Sequence, residues 1–84
     1  MKFNNNDDLR NFSEILTTKM ESIGEMLLSI DLKNWSEDSF TTSSEFLGEL
    51  KLILVRIKQL DTLDLSTKQD VDDCIKAINR AFGI

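Results

Sequence analysis

The stretch from Thr42 to Leu60 constrains the fold of this chain most, because it combines a helix start signal with a long apolar stripe. Thr42 and Glu45 have the spacing of a capping box, in which each side chain satisfies a backbone N–H of the first helical turn. Apolar residues then recur at steps of three and four, at Phe46, Leu50, Ile53, Leu54, Ile57 and Leu60. The pattern predicts a helix over residues 43–60 that packs against the rest of the chain.

A second apolar stripe precedes this central helix. From Leu9 to Ile30 the apolar positions again step by three and four, which predicts one helix over residues 7–30. Gly24 lies within this stripe, and we expect it to admit the close approach of a neighbouring helix. Residues 1–6 are a polar lead-in that we expect to fray.

The C-terminal third of the chain also carries an apolar stripe with helical spacing. Apolar residues between Val71 and Phe82 predict a third helix over residues 67–82, with Ser66 or Thr67 as its N-cap and Gly83 as its C-terminal stop. Cys74 lies in this stripe, where a free thiol acts as a small apolar group.

These three segments predict an all-α fold. The chain has 84 residues, no proline and three glycines, which favours one helical domain spanning residues 1–84. Connections of about eleven and six residues suggest a small antiparallel three-helix bundle. The longer connection, residues 31–41, has room for a short extra helical turn.

The residue types present exclude most catalytic and metal-binding sites. The chain has no histidine and a single cysteine, so it offers neither a Ser-His-Asp arrangement nor a thiolate zinc cluster. Its glycines stand at positions 24, 48 and 83, which rules out a glycine-rich phosphate loop. We therefore expect a protein that is not an enzyme and that uses no cofactor and no metal.

The net charge of the chain limits the classes of partner that it can bind. The net charge is −5, and phosphate contacts need clustered Lys and Arg, so we expect no direct binding of nucleic acid or of a membrane. An acidic surface instead suits a basic protein partner. With one cysteine, no apolar N-terminal signal and no membrane-length apolar run, the expected location is the cytoplasm.

The candidate partner-binding residues lie around the start of the central helix, where an aromatic residue stands among acids. Six residues form the first set, and two acids of the third helix are secondary candidates. These residues are Asp31, Trp35, Glu37, Asp38, Glu45 and Glu49, followed by Asp72 and Asp73.

Two segments carry a resemblance to a known class. TSSEFLGEL at residues 42–50 and IKAINRAF at residues 75–82 resemble the small helical immunity proteins of contact-dependent and other polymorphic toxin systems of bacteria. The resemblance implies a protein that binds and neutralises a cognate toxin domain, often a nuclease. A nuclease must be basic to hold phosphate, so an acidic inhibitor would gain association rate and specificity.

A second resemblance points to another class. DSF at residues 38–40 and STKQDV at residues 66–71 look like segments of acyl carrier proteins, whose serine carries phosphopantetheine. In this reading Ser39 would be modified, although the carrier helix starts at its serine and the cap here lies at Thr42. Small secretion chaperones, dimeric helical adaptors and phage-encoded inhibitors are the remaining alternatives, and the chain could act as a homodimer.

Overall fold

The computed structural model describes residues 2–82, which form four α-helices. They are α1 (Asn6–Ser22), α2 (Met26–Glu37), α3 (Ser43–Lys58) and α4 (Leu65–Ala81). The described residues contain no strand, so the all-α prediction is confirmed. The predicted number of helices is wrong, because the helix expected over residues 7–30 ends at Ser22. A second helix, Met26–Glu37, then takes up most of the connection expected over residues 31–41. The stop predicted at Gly83 lies outside the described residues.

The break between α1 and α2 is a Schellman turn centred on Gly24. The Gly24 N–H donates to the Glu21 carbonyl at 3.2 Å, and the Glu25 N–H donates to the Met20 carbonyl at 2.8 Å. Gly24 has φ of +80°, a left-handed conformation that glycine adopts without steric penalty. The glycine is therefore needed for its backbone conformation. The expected close approach of a neighbouring helix is wrong, since no atom lies within 4 Å of a Cβ built at this position.

The turn also changes which apolar residues of α2 are buried. Leu27 and Ile30, which continue the stripe of the first helix, are 75% and 49% exposed. The core instead receives Leu28, Leu32 and Trp35. The sequence of α2 has two apolar faces, one with Leu27 and Ile30 and one with Leu28 and Leu32. Because the chain reverses direction at Gly24, the face with Leu28 and Leu32 is the one that packs against the core.

The glycines allow a matched test of this explanation. Gly24→Ala is expected to lower the free energy of unfolding by about 1 kcal/mol or more, because alanine is strained at positive φ. Gly48 lies within α3 with open space around its Cβ position, so Gly48→Ala is expected to raise that free energy by about 0.5–1 kcal/mol. Urea denaturation measures both. Equal effects of the two substitutions would contradict the assignment of Gly24 as a helix terminator.

Each helix runs antiparallel to the next, as contacts between residues distant in the chain show. The start of α1 meets the end of α2, where Arg10 Nη1 donates to the Ser36 carbonyl at 2.7 Å. The Arg56–Asp31 ion pair, at 2.8 Å, joins α3 to α2. The Lys58–Asp72 ion pair, with its closest atoms 2.6 Å apart, joins α3 to α4. The result is an up-down-up-down arrangement around one apolar core.

All four helices supply the core, whose fully buried side chains include Leu16, Met20, Leu32, Leu54, Ile57 and Ile78. Cys74 is also buried, and burial raises the pKa of its thiol to about 12, so the prediction of a structural cysteine is confirmed. The N-terminal segment contacts the core, which the sequence does not predict. Phe3 packs edge-on against Phe12 at 5.2 Å between ring centroids, and its ring lies against the core. The polar lead-in is therefore anchored by one aromatic side chain.

Helix caps explain where α3 and α4 begin. The Thr42 hydroxyl accepts from the Glu45 N–H at 3.1 Å, as predicted, while the Glu45 carboxylate accepts from the Thr41 hydroxyl. In α4 the predicted caps are wrong, because Asp64 takes this role and accepts from the Thr67 N–H at 3.0 Å. Lys19 of α1 lies 2.8 Å from the Asp64 carboxylate and ties the two helices together.

The pKa of Asp64 makes stability depend on pH. Its pKa is held far below the ordinary 3.8 by the hydrogen bond from Lys19, and also by the hydrogen bonds from the Thr67 backbone and side chain. A lowered pKa in the folded state adds stability above pH 3.8, and that stability is lost as the pH falls below this value. The free energy of unfolding of Asp64→Asn is therefore expected to fall less than that of the wild type between about pH 5 and about pH 2.

Urea denaturation across this pH range measures the effect. Lys19→Met is the partial control, because it removes the largest cause of the shift and leaves both Thr67 bonds in place. Its pH dependence is expected to lie between those of the wild type and Asp64→Asn. The same loss of stability in all three proteins would contradict the prediction.

Candidate protein-binding groove

A groove with a volume of about 610 Å³ runs along the surface between α2 and α3. Both helices and the segment that joins them contribute to it. Its lining residues are Asp31, Asn34, Trp35, Asp38, Ser39, Phe40, Glu45, Glu49, Leu52, Ile53 and Arg56. Five of the eight candidate partner-binding residues, namely Asp31, Trp35, Asp38, Glu45 and Glu49, therefore lie in one groove.

Helical spacing explains why these side chains meet. On α3 the residues at 45, 49, 52 and 56 follow one another at steps of three and four, so they form a single row along the groove. On the other side, Asp31 and Asn34 of α2 and Asp38, the residue just after α2, form the facing row. Because the two helices are antiparallel, Asp38 lies at the same end of the groove as Glu45. Asp31 lies at the opposite end of the groove, together with Arg56.

The floor of the groove is part of the core. Trp35 is only 3% exposed, and its indole N–H donates to the Phe46 carbonyl at 2.8 Å. Its ring lies 4.7 Å from that of Phe46, and Phe40 packs edge-on against Phe46 at 5.7 Å. Trp35 thus supports the groove from below, whereas the sequence predicts that it contacts a partner directly.

Arg10 of α1 holds this aromatic cluster from the opposite side. Its guanidinium carbon lies 4.9 Å from the Phe46 ring centroid and 5.8 Å from that of Trp35, within cation–π range. The same side chain donates to the Ser36 carbonyl in the last turn of α2. Arg10 therefore connects three helices beneath the groove. Sequence reasoning missed this residue, because nothing in its local pattern distinguishes it from a surface cation.

The two ends of the groove differ in charge. Asp38, Glu45 and Glu49 line one end, with the Glu45 carboxylate accepting from the Thr41 hydroxyl at 3.1 Å. At the other end Asp31 is paired with Arg56, and the lining is completed by Leu52, which is 64% exposed. We call these the acidic half, made of Asp38, Glu45 and Glu49, and the apolar half, made of Leu52 and Ile53 beside the Asp31–Arg56 ion pair.

The remaining candidate residues lie elsewhere. Glu37 is the exposed last residue of α2 and does not line the groove. Asp72 of α4 bridges Lys58 and Lys76, and hydrogen bonds from these two lysines hold the pKa of its carboxyl below the ordinary value. Asp73, also on α4, borders a separate pocket together with Lys76 and Arg80. The two secondary candidates therefore do not line the groove.

Other kinds of site find less support in the structure. Ser39 is exposed and lies between helices, and α3 begins only at Ser43, so this serine is not at the helix start that the carrier resemblance implies. Residues 2–82 contain no group of three or more Cys, Asp and Glu side chains arranged to hold a metal ion. Within the same residues, no helix is both long and apolar enough to cross a bilayer.

Comparisons with protein-family models, with curated proteins and with solved structures give no match to this chain. Functional inference therefore rests on the groove itself.

Proposed function

We propose that this protein is a non-catalytic inhibitor that binds another protein through the groove between α2 and α3. The observation that carries the proposal is the grouping of three carboxylates, Asp38, Glu45 and Glu49, beside the exposed side chain of Leu52. Exposed apolar side chains bordered by charges are typical of protein-binding surfaces.

The charge of the groove selects the partner. Its lining includes four carboxylates and one guanidinium, and the guanidinium of Arg56 is already paired with Asp31. A partner with Lys or Arg at its contact surface would be attracted to the acidic half, and an acidic protein would be repelled. We propose a basic toxin domain of the nuclease type as that partner, since such a domain carries cations wherever it holds phosphate. The protein would then act as an immunity protein.

The test begins with capture of the partner by the tagged protein from cells of the native host. The captured protein is then expressed in a bacterial host, alone and together with the inhibitor. We expect growth arrest by the captured protein alone and normal growth when the inhibitor is present. Persistent arrest despite abundant inhibitor, or a captured protein without toxicity, would refute the immunity function.

A further inference from the structure

We infer that the segment bound in this groove is a cationic amphipathic helix with its Lys or Arg side chains at one end and apolar side chains at the other. This inference rests on the proposed function, because it describes how the protein partner is held. It is carried by the division of the groove into an acidic half and an apolar half.

The dimensions of the groove suit a helix of about three turns. Glu45 and Arg56 mark the two ends of the α3 row and are eleven residues apart, which corresponds to about 16 Å along the helix axis. The valley between two packed helices is a surface into which the side-chain ridge of a third helix fits. The α3 row repeats at steps of three and four, the spacing that a helical ligand also presents.

The apolar half extends beyond the groove along α2. Leu27 lies one turn before Asp31 and continues the α2 row, and Ile30 is beside it on the helix surface. Both side chains are exposed, as is Leu52 across the Asp31–Arg56 ion pair. An occupant that covered Leu52 and Leu27 would remove apolar surface from water, which favours binding.

The acidic half determines which side chains the bound helix carries at the end opposite its apolar residues. Asp38, Glu45 and Glu49 come from two facing rows at the end of the groove away from the Asp31–Arg56 pair. Lys or Arg one turn apart on the bound helix could contact these carboxylates together. The apolar residues of the same helix would follow about two turns later, because Leu52 lies seven residues after Glu45.

A synthetic peptide tests this arrangement without the natural partner. The peptide is a helix of about 15 residues with two Arg one turn apart and two Leu two turns further along the same face, and its binding is followed by fluorescence anisotropy. We expect saturable binding to the wild type. A peptide of the same composition with its Arg residues spread around the helix is expected to bind at least about tenfold more weakly.

Paired variants locate the binding. Glu45→Gln with Glu49→Gln is expected to weaken the interaction about tenfold. Glu14→Gln with Glu21→Gln gives the same net charge through two exposed acids of α1, and is expected to change the affinity less than about twofold. Leu52→Asp, at an exposed position, is expected to weaken binding about tenfold by placing a charge in the apolar half.

Several outcomes would overturn the inference. Equal weakening by the two glutamate pairs would show binding to the overall negative charge alone. Equal affinity for the two peptides would show that the arrangement of side chains is not recognised. A self-association in sedimentation equilibrium that Leu52→Asp abolishes would assign the groove to a second copy of the chain. If this protein neutralises a captured toxin but does not bind the peptide, the helical binding mode is refuted and the inhibitor function is retained.

Discussion

Replacing Trp35 with alanine is expected to lower the free energy of unfolding by about 4 kcal/mol, the middle of the range for loss of a large buried aromatic side chain. The indole fills the space between α2 and α3, donates a hydrogen bond to the Phe46 carbonyl and contacts the Phe46 ring. A chain of this length has a total stability of about 4–13 kcal/mol, so this loss is about a third of the total or more. Urea denaturation followed by circular dichroism measures the change.

Trp35→Phe is the matched control for this prediction. Phenylalanine keeps an aromatic ring against Phe46 and Arg10 but removes the indole N–H. Its expected loss is about 1–2 kcal/mol, from the missing hydrogen bond and the smaller ring. Equal losses for the two variants would show that the hydrogen bond, and not the packing of the ring, accounts for the contribution of Trp35.

If the proposed immunity function holds, reversing two charges in the acidic half is expected to abolish neutralisation of the partner. Glu45→Lys combined with Glu49→Lys places two cations where a basic partner would bind, and the affinity is expected to fall by at least about 100-fold. The Thr42 cap of α3 stays in place, so the fold is expected to be retained. Growth of cells that co-express the captured toxin reports the effect, and calorimetry with the purified proteins measures the affinity.

The control reverses the charge of Glu14 and Glu21 instead. Both are exposed on α1, outside the groove, and the substitutions produce the same net charge. This variant is expected to protect cells as the wild type does. Loss of protection by both variants would mean that the partner responds to the net charge of the protein, and protection by both would place the binding surface elsewhere.

The start of α3 could be predicted from sequence because its determinants are local. Thr42 and Glu45 are three residues apart, and the apolar stripe that follows them is the face that α3 buries. The division of the first predicted helix could not be found in this way. Apolar residues stand at 27 and 30 and also at 28 and 32, so the stripe looks continuous across Gly24 although the chain reverses there.

The candidate site was predicted in part for the same reason. Asp38, Glu45 and Glu49 lie near the capped start of α3, where the local pattern already grouped acids around an aromatic residue. Leu52 and Arg10 acquire their roles only through tertiary packing. Leu52 lies in a row with Glu49 and Arg56 that becomes a groove wall once α2 is alongside, and Arg10 reaches the aromatic cluster from another helix.

Trp35 and Phe46 belong both to the groove floor and to the core. The lifetime of this protein in the cell would therefore depend on whether a partner is bound in the groove. A ligand that binds only the folded state lowers the fraction of unfolded molecules, and proteases in the cell act mainly on that fraction. Since the groove has no floor separate from the core, a bound partner would protect the whole chain from degradation. Free copies would be removed faster than bound copies, so cellular turnover would adjust the amount of this protein to the amount of its partner.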